Sequence, residues 1–193
     1  MSVHIEKRIT EYKLAKDLFS RGKDIILSPK VQVLKTFTQH GETTVFEHSV
    51  AVAKYSLLIA YFVTRTLKIN VDMDSLVRGA LLHDYFLYDW HVKGAAEGLH
   101  GFTHPRVARR NAERDFELND IEKDIICKHM FPLTPIPPMH RESIIVSLAD
   151  KWCALAETFK IDVSSYIIYR MNYRIALSEG DYSTNYGDTK AEC

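Results

Sequence analysis

The chain has 193 residues, 46% hydrophobic and 26% charged, which suits one globular domain with a substantial core. Lysine plus arginine and aspartate plus glutamate each total 25, so the formal net charge is zero, and a surface built to coat nucleic acid or an anionic membrane is disfavoured. Cys127, Cys153 and Cys193 are odd in number and form no CxxC pair, so they read as free thiols of a reducing compartment.

In chain order, the N-terminal MSVHIEKRITEYK is polar and has no apolar signal core. A first helix is expected over 6–22. Ser28-Pro29 then offers an N-cap and a first-turn proline, and Gly41 a stop, which predicts a helix over 29–40. A longer helix is expected over 45–67, with His48, Val52, Tyr55, Ile59 and Phe62 on one stripe. The most apolar window, 50–63, carries Lys54 and is too short to cross a bilayer. No membrane partner is expected, and the cytosol is the expected location.

Asp74 or Ser75 can cap a helix running to about Leu87. Thr103-His104-Pro105 opens another to about Phe116. Asn119 and Glu122 have the form of a capping box, and that helix must end before Pro132. The proline-rich FPLTPIPPMH cannot be helical. Helices over 141–160 and within SSYIIYRMNYRIAL complete an all-α reading of six to eight helices without strands. Tyr166, Tyr169 and Tyr173 on the last helix are either core or the face of a homodimer. The expected division is an N-terminal helical segment over 1–28, one domain over 29–179 and a polar tail over 180–193.

Several of the nine histidines sit where packing would favour leucine. His83 continues the stripe Leu76, Ala80, while Asp84 follows Val77 and Leu81 on the adjacent face. His129 follows Ile121 and Ile125. Asp150 interrupts the apolar run IIVSLAD, and a buried aspartate needs a cation, a donor or a proton. Imidazoles and carboxylates from separate helices converging on a divalent metal would satisfy them together. Taken singly, each is more readily a core residue held by a neighbour than a ligand.

The order His48 in "VFEHSVAVA", His83-Asp84 in "GALLHDY" and Asp150 in "IVSLADK" resembles the HD-domain superfamily of metal-dependent phosphohydrolases, over roughly 29–160. That resemblance implies a single-domain, all-α helical bundle. It implies one or two divalent ions (Mn, Fe, Ni, Co, Zn or Mg) held by His48, His83, Asp84 and Asp150. His104 and His129 fall where two-metal members insert histidines, so with a bridging Asp84 they could hold a second ion. The alternative is that His104 only starts a helix and His129 ends one near the dipole of its carbonyls. His100 is a further candidate.

The implied chemistry is hydrolysis of a small, nucleotide-like phosphoester by metal-activated water, with Asp84 and His83 as catalytic candidates. Lys151, Arg106 and Arg109 are candidate phosphate contacts, Lys128 and Lys93 weaker ones, and Asp89 a candidate acid. The chain also departs from known branches. Leu87 stands where deoxynucleotidases carry glutamate, and neither a GYP motif nor the ED pair of the (p)ppGpp hydrolases is present. An HD module that binds a nucleotide or protein partner without turnover is the alternative. A purely structural helical protein is a third reading.

Overall fold

The computed structural model describes residues 2–92, 94 and 99–178; Lys93, Cys193 and the tail 180–193 lie outside them. α1 (Ser2–Ile26) runs longer than the expected 6–22 and kinks at Gly22. Ser28-Pro29 does start a helix, but α2 (Pro29–Gln32) lasts one turn before a 3-10 turn over Val33–Thr36. The expected helix over 29–40 is therefore replaced. The residues that follow, TFTQHGETT, are rich in threonine and favour extended backbone. β1 (Thr38–His40) pairs antiparallel with β2 (Thr43–Thr44), and Gly41 turns this hairpin at φ 61° instead of stopping a helix.

The hairpin delivers Thr44 as the N-cap of α3 (Val45–Leu67). Thr44 Oγ1 accepts from the Glu47 amide at 3.2 Å, and Glu47 Oε2 accepts from the Thr44 amide at 2.9 Å. By length and composition this helix could cross a membrane, which the shorter window 50–63 did not suggest. Here it is the central helix, packed against later helices, with His48, Ser49, Lys54 and Ser56 buried along it.

α4 (Met73–Leu82) starts at Asp72, whose carboxylate accepts from the amides of Asp74 and Ser75. It ends with His83 as C-cap, short of the expected Leu87. The cause lies across the bundle, on α5 (His100–Asp115). Asn111 Nδ2 donates to the carbonyls of Tyr85 and Phe86, both at 3.1 Å, and so holds them out of the helix. Leu87 then takes a positive φ of 60°.

α6 (Asp120–Lys128) opens on the expected capping box, Asn119 with Glu122, and closes on His129. The proline-rich loop leads to α7 (Arg141–Thr158), and α8 (Ser165–Ser178) follows. Among the described residues there are thus eight α-helices and one small hairpin, so the fold is all-α as expected.

α3 lies against α4 and α7, α4 also against α1 and α6, and α6 against α5 and α7, while α8 covers α1 and α3. Leu57, Leu76, Leu82, Phe86, Ile125 and Val146 are among the buried core. α8 inserts Ile167, Met171 and Ile175 rather than its tyrosines. The α4–α6 contact requires Gly79, because a Cβ there would lie 2.5 Å from Ile125 Cδ1 and 3.0 Å from Ile125 Cβ. Gly79→Ala is expected to destabilise the fold by about 1–3 kcal/mol through overpacking. A urea midpoint equal to that of the parent would show that the two helices separate freely.

Candidate metal centre

Five elements end or turn at one buried place. α3 brings His48, the end of α4 brings His83 and Asp84, and α5 brings His104; the end of α6 brings His129 and α7 brings Asp150. All six side chains are buried. His48 Nε2 lies 3.1 Å from Asp150 Oδ1 and 4.0 Å from Asp84 Oδ2, and His83 Nε2 lies 3.5 Å from that same Oδ2 and 3.7 Å from Asp150 Oδ1. On the other side, His104 and His129 place Nε2 at 3.2 and 3.5 Å from Asp84 Oδ1. Asp84 therefore turns one oxygen toward each histidine pair.

The outer nitrogens fix the rings. His83 Nδ1 donates to the Ala80 carbonyl at 2.7 Å, His104 Nδ1 to the His100 carbonyl at 2.8 Å and His129 Nδ1 to the Ile126 carbonyl at 2.9 Å. A carbonyl only accepts, so these Nδ1 atoms carry protons and the rings turn Nε2 inward, the atom whose lone pair a neutral imidazole offers to a metal. His48 Nδ1 faces Glu157 Oε2 at 2.9 Å.

This donor set fits metal ions. His83 Nε2 and Asp84 Oδ1 are buried without a hydrogen-bond partner, although other polar atoms lie close by. His104 Nε2 and His129 Nε2 lie 2.8 Å apart, two acceptors in contact unless a cation or proton separates them. Two ligand groups form within the centre, His48 with His83 and Asp84, and Asp84 with His104 and His129. Neutral imidazole and carboxylate suit divalent transition metals.

The electrostatics show the same demand for positive charge. Burial alone would raise the Asp84 carboxyl, but His83, His104 and His129 outweigh it and hold the group well below the usual carboxylate range. Burial lowers the His48 imidazole, yet its hydrogen bonds to Asp150 and Glu157 prevail and hold it up at about 10. His129 has fewer anionic neighbours, and burial, with His83 and His104 beside it, pushes it down to about 3.

Two supporting residues escaped the sequence reading. Gln39, at the hairpin, donates from Nε2 to Asp84 Oδ2 at 2.6 Å, and its Oε1 is buried without a partner. Glu157 orients His48 from α7, two turns beyond Asp150. Such outer partners typically set metal affinity within about 10- to 100-fold. Glu157→Ala is expected to weaken binding by that order in a metal titration of the stripped protein, and unchanged affinity would remove Glu157 from the centre.

Asp84, His104, His129 and Asp150 of the centre line a cavity of 590 Å³, with His48 and His83 behind them, and Gln39, Trp90, His100, Met130, Leu133 and Lys151 also line it. His100 stacks between Trp90 and His104 at ring separations of 5.0 and 4.5 Å, and its Nδ1 meets the Tyr88 hydroxyl at 3.0 Å. Burial, then His104, pushes its imidazole down to about 4.

Of the candidate substrate contacts, Lys151 is present, with Nζ donating to the carbonyls of His129 and Ser147 and to Ser147 Oγ. Arg106 and Arg109 do not line the cavity. Arg106 is exposed, and Arg109 donates to Glu113 Oε1 and Cys127 Sγ. They follow His104 by two and five residues, and a helix turns about 100° per residue, so both point away. Asp89 is also outside it and accepts from the amide and Nδ1 of His91. Lys128 pairs with Asp124 at 2.6 Å.

No curated protein and no solved structure matches the chain. A family model for the HD domain matches residues 45–155, more than half of the chain and the whole interval from His48 to Asp150. On that match and on the buried His and Asp clusters, the chain belongs to the HD domain family.

Proposed function

We propose that this protein hydrolyses a small, nucleotide-like phosphoester at the His/Asp centre. Its family is one of metal-dependent phosphohydrolases. The observation that carries the reading is the division of Asp84, one oxygen toward each histidine pair, at the floor of a cavity. At 590 Å³ the cavity has the size of a small-molecule site. His48, His83, Asp84 and Asp150 would hold one ion, and His104, His129 and the same Asp84 a second. When bound, divalent ions supply a Lewis acid that lowers the pKa of water and offsets charge on phosphoryl oxygens.

The chain's own residues do the rest. Gln39 Nε2 fixes Asp84 Oδ2, which leaves Gln39 Oε1 as the free acceptor able to orient a water or a substrate hydroxyl. Lys151 is the cationic side chain of the cavity wall among the described residues. With its protons directed to His129 and Ser147, it acts as a fixed charge and holds the end of α6 in place. Trp90, Met130, Pro132 and Leu133 make an apolar wall suited to a base or another flat ring, and they exclude water from the reacting phosphate.

Elemental analysis of the purified protein, followed by a panel of phosphomonoesters and phosphodiesters, tests the proposal. Stoichiometric transition metal is expected, with turnover that a chelator abolishes and added metal restores. Protein without bound metal overturns the reading. Bound metal without turnover on the panel favours an HD module that binds its ligand and does not cleave it.

A further inference from the structure

α7 has two working faces. Asp150 and Glu157 point to the metal centre, while Ile144, Leu148, Trp152, Leu155 and Phe159, which caps the helix, lie in a row on the outside. Each of the five is between 49 and 69% exposed, where a helix of a monomer would carry charge. Steps of three and four residues keep the row on one face. The row is also symmetric about its own middle. Ile144 and Phe159 lie equally far from the midpoint, as do Leu148 and Leu155, and Trp152 sits beside it.

We propose that this face joins two copies of the chain, with the two α7 helices antiparallel across a twofold axis at Trp152. A row that reads the same from both ends is what such an axis requires, since each residue must meet its counterpart's pair on the other copy. Ile144 then faces Phe159, Leu148 faces Leu155, and the two Trp152 rings meet near the axis. Trp152 is already braced by Tyr55, its ring centroid 6.5 Å away, so little side-chain freedom is lost on docking.

Area and charge agree with a second copy. Five large apolar residues, each about half exposed or more, form the row, and a standard interface buries about 800 Å² per partner, a patch of roughly 20–30 residues. Met139, 79% exposed, and Ile136 in the loop leading into α7 extend it. Of the cations bordering the row, Arg141 donates to the Asn70 carbonyl and Lys151 turns Nζ inward to His129 and Ser147, and a chain of zero formal net charge meets its copy without net repulsion.

Light scattering on the full chain after size-exclusion chromatography tests this. The expected mass is twice 22.2 kDa. Leu148→Glu, at an exposed position away from the metal ligands, is expected to raise the dissociation constant at least tenfold. Its helical circular dichroism and metal content should match the parent. As a second measurement, Trp152→Cys is expected to crosslink to its own copy on mild oxidation, while the parent with its native cysteines does not. A monomeric parent overturns the proposal. So does a dimer that survives Leu148→Glu with the fold intact, or a dimer in which Trp152→Cys forms no crosslink.

Discussion

Asp84→Ala is expected to release both metal ions together and to lower hydrolysis by at least about a thousandfold, equivalent to about 4 kcal/mol in the barrier. The size of the effect follows from one side chain serving two groups. Oδ2 lies 3.5 Å from His83 Nε2 and Oδ1 lies 3.2 Å from His104 Nε2, so truncation removes a donor from both. It also removes the carboxylate beside His83, His104 and His129, so a cation placed among these rings keeps only Asp150 to offset its charge. Elemental analysis reads the first effect and a turnover assay the second. Retention of two ions by this variant would show that Asp84 does not bridge them.

His129→Ala separates the two groups. The set of His48, His83, Asp84 and Asp150 keeps all its donors, whereas the other keeps only His104 and Asp84. One ion per chain is expected in place of two. Hydrolysis is expected to fall by about a hundredfold or more, since a two-metal site stabilises both the attacking and the leaving oxygen. His104→Ala should give the same phenotype, and the double variant little further loss, because residues that act as a unit are not additive. Unchanged stoichiometry in both single variants would reduce the centre to one ion.

Much of this centre was legible in sequence because its ligands sit on amphipathic helices. His48 and Asp150 each occupy a position that helical spacing marks as inward, and Asn119 with Glu122 marks the start of α6 by local chemistry alone. Glu157 carried a signal that went unread, since seven residues after Asp150 is two full turns along the same face. The same geometry turns Arg106 and Arg109 away from His104.

Gln39 was a different case. It reaches Asp84 because a hairpin forms at 38–44, and short strand pairing between threonine-rich segments leaves no helical period to detect. The early end of α4 was equally hidden, because Asn111, from a distant helix, captures the carbonyls that would have continued it. In IIVSLADKWCALAETF 11 of 16 positions are apolar, so they ring the helix instead of marking one face. Which residues stay outside is decided by the packing of α3 and α6 rather than by any local pattern.

His83 and His129 close α4 and α6, so both helices aim the negative ends of their peptide dipoles at the place where Asp84 and Asp150 already stand. A phosphate arriving there before the cations meets these negative ends and two carboxylates, with Lys151, its protons directed to His129 and Ser147, as the cationic side chain of the wall among the described residues to offset them. On the proposed function, metal is therefore expected to enter first and the anion second. The supply of free metal ions would then decide whether the cavity repels a phosphoester or retains it.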